Sequence, residues 1–235
     1  MELHEDEPAA GPWRPAAPGD VLDLTGTGVV AVDGRSASGK TTLAGLLREE
    51  AQRRGLRAAV VHTDDLAWHH SFFGWAGLLA DGVLRPWRAG RDVAHVPPGW
   101  APHGRAGAVE VPAGVDLLLV EGVGAGRREV AGLLDAVVRV QSDHVLARER
   151  GLARDVASGV DGDPAQTVAF WNEWEREERP FVAGQRPWER ARVIASLVPR
   201  RGRREVPPVV PGGWALNPGP GASSGPGRPG RTASP

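Results

Sequence analysis

The chain has 235 residues and a formal net charge of −1, enough length for one domain with a sizeable core. With 41% hydrophobic and 24% charged residues it reads as globular, and the even charge balance argues against proteins that grip nucleic acid or anionic membrane through a basic surplus. It contains no Cys, which removes disulfides, thiolate metal sites and cysteine nucleophiles together.

Residues 1–20 are rich in Pro, Ala and acid and are expected to be disordered. The start, MELHEDEPAAGPW, lacks the basic-then-apolar order of a secretion signal. No apolar run approaches the roughly 20 residues of a membrane helix, so a cytoplasmic protein without membrane or nucleic-acid partners is expected. Residues 28–33 (GVVAVD) read as a buried strand. Residues 42–54 place Leu43, Leu46 and Leu47 on one face and charges on the other, a helix stopped by Gly55. Further strands are expected at 57–62, 115–120, 136–140 and 192–196, and helices at 127–134, 143–158 and 164–179.

This alternation predicts an α/β fold over residues 21–198: three α/β/α layers, with a mostly parallel sheet of about five strands covered on both faces. The stretch 65–110, dense in Gly, Pro and Trp, reads as an irregular insertion over the carboxyl edge of the sheet, where long loops carry function. Residues 199–235, rich in Pro, Gly and Arg, are expected to be a disordered tail. The sequence carries no signal for oligomeric state.

Between the first strand and the first helix stands Gly34-Arg35-Ser36-Ala37-Ser38-Gly39-Lys40-Thr41-Thr42, and Lys40 is the only lysine in the chain. The Gly-x4-Gly-Lys-Thr pattern between strand and helix is that of a phosphate-binding loop. Its glycines let backbone N–H groups turn inward, and the helix N-terminus adds partial positive charge. Gly34, Ser36, Ala37, Ser38, Gly39, Lys40, Thr41 and Thr42 are therefore candidates to cradle the phosphates of ATP. Lys40 supplies a compact charge that the planar fork of Arg would match less well, and Thr41 offers its hydroxyl to Mg2+. Asp64 and Asp65 follow the second strand and Glu121 ends the third. On the carboxyl edge of a parallel sheet these carboxylates sit beside the loop, suited to metal binding and to proton abstraction from a hydroxyl.

The phosphate loop, Asp64-Asp65, Glu121-Gly122 and the Arg-rich helix reaching Arg154-Asp155 together resemble the uridine kinase and phosphoribulokinase group of small-molecule kinases, over about residues 28–196. The resemblance implies an ATP- and Mg2+-dependent transfer of phosphoryl to a small-molecule hydroxyl, on a nucleoside or sugar-like acceptor. It implies that Asp64 acts as base, that Glu121 and Thr41 hold Mg2+ with Asp64 close by, and that Arg150 and Arg154 close over the phosphates as a lid. It also places His103 and Arg105, from His-Gly-Arg, in the acceptor pocket, where Asp65, Trp68 and Trp100 are further candidates. The chain departs from the family where Leu66 and Ala67 replace two aromatics and where Pro97-Pro98-Gly99-Trp100 precedes His103.

Two alternatives stay open. One is an ATP-binding switch with slow hydrolysis. The other is a nucleoside monophosphate kinase, for which Arg85, Arg88, Arg91 and Arg105 could grip the acceptor phosphate. His69 and His70 lack a third metal ligand at suitable spacing, and His62 and His144 read as structural or solvated.

Overall fold

The computed structural model describes residues 1–197 and 214–220. In chain order, Arg14–Ala16 (β1) leads into Pro18–Thr25 (α1), whose proline occupies a first-turn position where no N–H is needed. Gly28–Gly34 (β2) is followed by Lys40–Arg53 (α2), Ala58–His62 (β3) and Thr63–Ala67 (α3). A helical run then passes from Ala76–Leu79 (α4) through a π turn at Ala80–Leu84 into Arg85–Arg88 (α5). Val93–His95 (β4) and Val109–Val111 (β5) pair as a separate two-stranded sheet. Leu117–Gly122 (β6), a 3-10 turn at Arg128–Leu133 and Ala136–Val140 (β7) precede His144–Ser158 (α6) and Pro164–Gln185 (α7). Val193–Leu197 (β8) and Trp214–Pro218 (β9) complete the described elements.

The main sheet has seven strands in the order β1-β9-β8-β7-β2-β6-β3. The segment β8-β7-β2-β6-β3 is parallel, and β9 and β1 add antiparallel at one edge. The continuous apolar runs of β2 and β6 follow from burial on both faces. Val29, Ala31, Leu118 and Val120 pack on one side with Trp75, Leu79, Val83 and Leu84. Val30, Val32 and Leu119 pack on the other with Val21 and Leu22 of α1 and Leu43 and Leu47 of α2. The three layers and the parallel centre are as expected. The central β2 lies between β6 and β7, at the reversal in strand order, which brings its carboxyl end to the crevice where ligands bind in such sheets. No helix among the described residues is long and apolar enough to cross a membrane.

Three stretches depart from the expectation. The insertion at 65–110 holds the helical run and the small sheet, and the helical run covers a face of the main sheet as part of its core. Trp75, Leu79 and Val83 recur every fourth residue, a helical spacing obscured by the glycines and Pro86 around it. Within residues 1–20, Glu7 is buried with its carboxylate 3.1 Å from Arg35 Nε and 2.9 Å from Arg139 Nη2. One carboxylate meeting partners far along the chain leaves no periodic or compositional trace. The tail expected over 199–235 lies mostly outside the described residues, but β9 lies within it and pairs with both β8 and β1.

Candidate active site

The loop leaving β2 is shaped by its glycines. A Cβ on Gly34 would meet Ser38 Oγ at 2.5 Å and the Val140 carbonyl oxygen at 2.9 Å, so only Gly fits that close turn. Gly39 takes φ 98°, the left-handed entry to α2, and Ala37 is held at φ 54°, a conformation unusual for a residue with a Cβ. Lys40 opens α2 and is buried, and its ammonium donates to the Arg35 carbonyl at 3.3 Å. With the N-terminal amides of α2 beside it, the loop concentrates positive charge around an anion-sized turn.

Glu121 stands near the end of β6, next to β2 in the sheet, and is buried. Thr41 Oγ1 donates to its Oε1 at 3.1 Å, and His62 Nδ1 lies 2.7 Å from its Oε2. Burial opposes the charge on Glu121, but the His62 hydrogen bond and the Lys40 ammonium prevail and hold its carboxyl below the usual range. The same hydrogen bond raises His62 above an ordinary imidazole. Asp64, in the first turn of α3, keeps contact with solvent in the cleft, yet the protein mass around it desolvates the carboxyl and raises its pKa. Lys40 pulls the other way and Glu121 adds to the rise.

No group of three or more His, Cys, Asp or Glu able to hold a metal ion by themselves occurs among the described residues. A hydroxyl and a carboxylate 3.1 Å apart nevertheless fit Mg2+, which takes oxygen donors and keeps several waters and substrate oxygens in its shell.

These groups open into a cleft of about 1040 Å³. Its walls include Ser36, Ala37, Gly39, Lys40, Thr41 and Thr42 of the loop, Asp64 and Trp68 after β3, and Arg150 and Arg154 of α6. Arg150 donates to the Ala37 carbonyl at 3.1 Å, so α6 already touches the phosphate loop. Arg154 pairs with Asp155 at 2.7 Å, and Asp155 accepts from the Trp171 indole at 2.9 Å. A Cβ on Gly151 would meet the Trp171 ring at 2.1 Å, so the glycine lets α6 lie flush on α7. Phe72, Phe170, Trp171 and Trp174 form an aromatic wall at this end, with the Phe72 ring edge-on to both Phe170 and Trp174.

Of the residues singled out from sequence, Gly34 and Ser38 shape the loop without lining the cleft, and Glu121 reaches the site through Thr41. Asp65, Trp100, His103 and Arg105 do come together, but beside the cleft, not in its wall. Arg105 pairs with Asp65 at 2.5 Å and stacks 3.7 Å over the Trp100 ring, while the Trp100 indole donates to the Asp65 carbonyl at 2.8 Å. His103 donates toward the Gly99 carbonyl at 2.9 Å and stacks on His69 with ring centroids 3.7 Å apart. These contacts occupy Asp65 Oδ1, Arg105 Nη2 and His103 Nδ1. His62, read from sequence as structural or solvated, meets Glu121 at the edge of the site, and its place directly before Thr63-Asp64 was the available signal. Glu178 was not singled out at all, although its carboxylate accepts from the Ser36 amide at 2.8 Å.

No protein-family model matches the sequence, and no curated protein matches it. Among solved structures, that of a "possible uridine kinase" from Bacillus stearothermophilus superposes with TM-score 0.50 and 19% identity, covering 75% of this chain and 94% of the other. The chain has the fold of a P-loop kinase. A "putative fructose transport system kinase" from Silicibacter sp. TM1040 gives TM-score 0.47 and 22% identity over 65% of this chain and 84% of the other. The YGR205w protein gives TM-score 0.49 and 11% identity over 77% and 88%. In this P-loop kinase fold the phosphate loop, the carboxylates ending β6 and opening α3, and the helix α6 all meet at the carboxyl edge of the sheet.

Proposed function

We propose that this protein transfers the γ-phosphoryl group of ATP, with Mg2+, to a hydroxyl of a small, uncharged molecule, nucleoside or sugar-like in character. The observation that carries this reading is a single cleft lined by the phosphate loop with Lys40 and Thr41, by the carboxylate of Asp64 and by the guanidinium groups of Arg150 and Arg154. The loop amides and Lys40 bind the phosphate oxygens. Thr41 and Glu121 would hold Mg2+, with Asp64 as a further oxygen donor. Bound there, the ion neutralises phosphate charge. Asp64 takes the proton from the acceptor hydroxyl, and a carboxyl raised by desolvation is a stronger base than an ordinary one. Arg150 and Arg154 cover the transferred group and exclude water.

An uncharged acceptor is favoured over a monophosphate. Arg85 pairs with Asp81, Arg88 with Asp135 and Arg105 with Asp65, and neither these nor Arg91 line the cleft. The aromatic wall suits a flat or apolar body instead. The test is Asp64→Asn, which keeps the shape and removes the base. ATP affinity measured by calorimetry should change little, and phosphoryl transfer should fall by on the order of 10²–10⁴. Full transfer activity in this variant would refute Asp64 as the base.

A further inference from the structure

Arg35 is the second residue of the phosphate loop and is buried, 7% exposed. Burying a guanidinium is costly, and carboxylates that meet it offset the cost. Two do, one from the first ten residues and one from α7. Arg35 Nε donates to Glu7 Oε2 at 3.1 Å, and its Nη1 lies 3.7 Å from Glu178 Oε2. The other Glu178 oxygen accepts from the amide of Ser36, the next residue of the loop, at 2.8 Å. The Arg35 carbonyl is the group that receives the Lys40 ammonium. Glu7 in turn is anchored by Arg139 of β7, which also donates to Asp33 of β2 at 3.0 Å. Side chain, carbonyl and following amide at the head of the loop thus all have partners, and one of those partners, Glu7, is rooted in the sheet through Arg139.

Glu178 belongs to α7, and Trp171, Trp174 and Glu178 follow one another at helical spacing on one face. Trp171 and Trp174 line the cleft, and the Trp171 indole holds Asp155, the partner of Arg154 on α6. The helix that forms the aromatic wall therefore also grips the phosphate loop. We propose that Glu178 is a positioning residue for the phosphate loop: together with Glu7 it clamps Arg35, and through the Ser36 amide it ties the loop to the helix that lines the acceptor end of the cleft. The proposal rests on the reading of this loop as an ATP site.

The test uses the full chain and two variants. Glu178→Gln keeps an oxygen for the Ser36 amide and removes the charge facing Arg35; Glu178→Ala removes both. ATP-Mg2+ affinity is measured by calorimetry, and amide hydrogen exchange is followed at Ser36–Ser38 in the free protein. Glu178→Ala should weaken ATP binding about tenfold or more and speed exchange at Ser36, with exchange in β6 and α2 unchanged. Glu178→Gln should recover most of the affinity and most of the protection. If Glu178→Ala fails to fold, the Gln variant decides, because exchange at Ser36 must still exceed that of the native chain. Native-like affinity and native-like Ser36 exchange in the variants would overturn the clamp. A native chain that does not bind ATP would instead overturn the functional reading, and the exchange comparison would still decide the clamp.

Discussion

The Lys40 ammonium, 3.3 Å from the Arg35 carbonyl, sits inside its own loop as a point charge on a flexible stem. A guanidinium has a different shape and a fixed fork of donors, so Lys40→Arg is expected to lose ATP turnover nearly as completely as Lys40→Ala. Steady-state assay of both variants checks this, and native-like turnover by the Arg variant would contradict it. Lys40 was legible because a dense local motif surrounds the chain's only lysine. Asp65 shows the opposite case. It directly follows Asp64, yet its carboxylate pairs with Arg105, forty positions on, outside the cleft. Two adjacent acids look alike in a sequence, and only the turn of α3 separates their directions. Glu178 was illegible for a related reason: one of four glutamates in α7, it is the one turned inward to the loop.

At the scale of elements, the packing of α6 on α7 fixes where Arg150 and Arg154 stand. Gly151 is the contact that permits it, since a Cβ there would lie 2.1 Å from the Trp171 ring and 3.1 Å from the Ala37 Cβ. An indole ring between two helices has little room to yield. Gly151→Ala should therefore push α6 away from the loop and raise the KM for ATP several-fold. Its effect on the unfolding midpoint should be small, because Ala favours the helix by about 1 kcal/mol over Gly. An unchanged KM would show that α6 does not need this contact. The central strands and α6 were readable from their apolar runs and helical spacing, whereas α7, expected to end at residue 179, continues through Pro180 to Gln185, because tertiary packing outweighs the proline. The helical run at 76–88 was not, because Gly77, Gly82 and Pro86 break the local propensity while Trp75, Leu79 and Val83 supply tertiary burial that outweighs it.

The whole molecule closes its sheet with chain from both ends. Trp214–Pro218 reads as a loop, short and set among Gly and Pro, and only pairing on both sides makes it a strand. Its Leu216 and Ala215 are buried. Ending the chain at residue 212 should lower the unfolding midpoint by on the order of 5 °C or more, from the loss of a buried leucine and the exposure of the β8 edge. Calorimetric melting of the shortened chain tests this, and an unchanged midpoint would show that β9 adds nothing to stability. Around that sheet the phosphate loop, Asp64 and α6 share one cleft, and the proposed reaction moves phosphoryl to a hydroxyl and not to water. The direct measurement is the fate of γ-labelled ATP incubated with the full chain, Mg2+ and a panel of uncharged nucleosides, sugars and aromatic alcohols. Label lost from ATP is expected to appear in equal amount on one class of acceptor, and Lys40→Ala is expected to abolish this transfer. Label released only as inorganic phosphate, at the same rate with and without every acceptor, would contradict it.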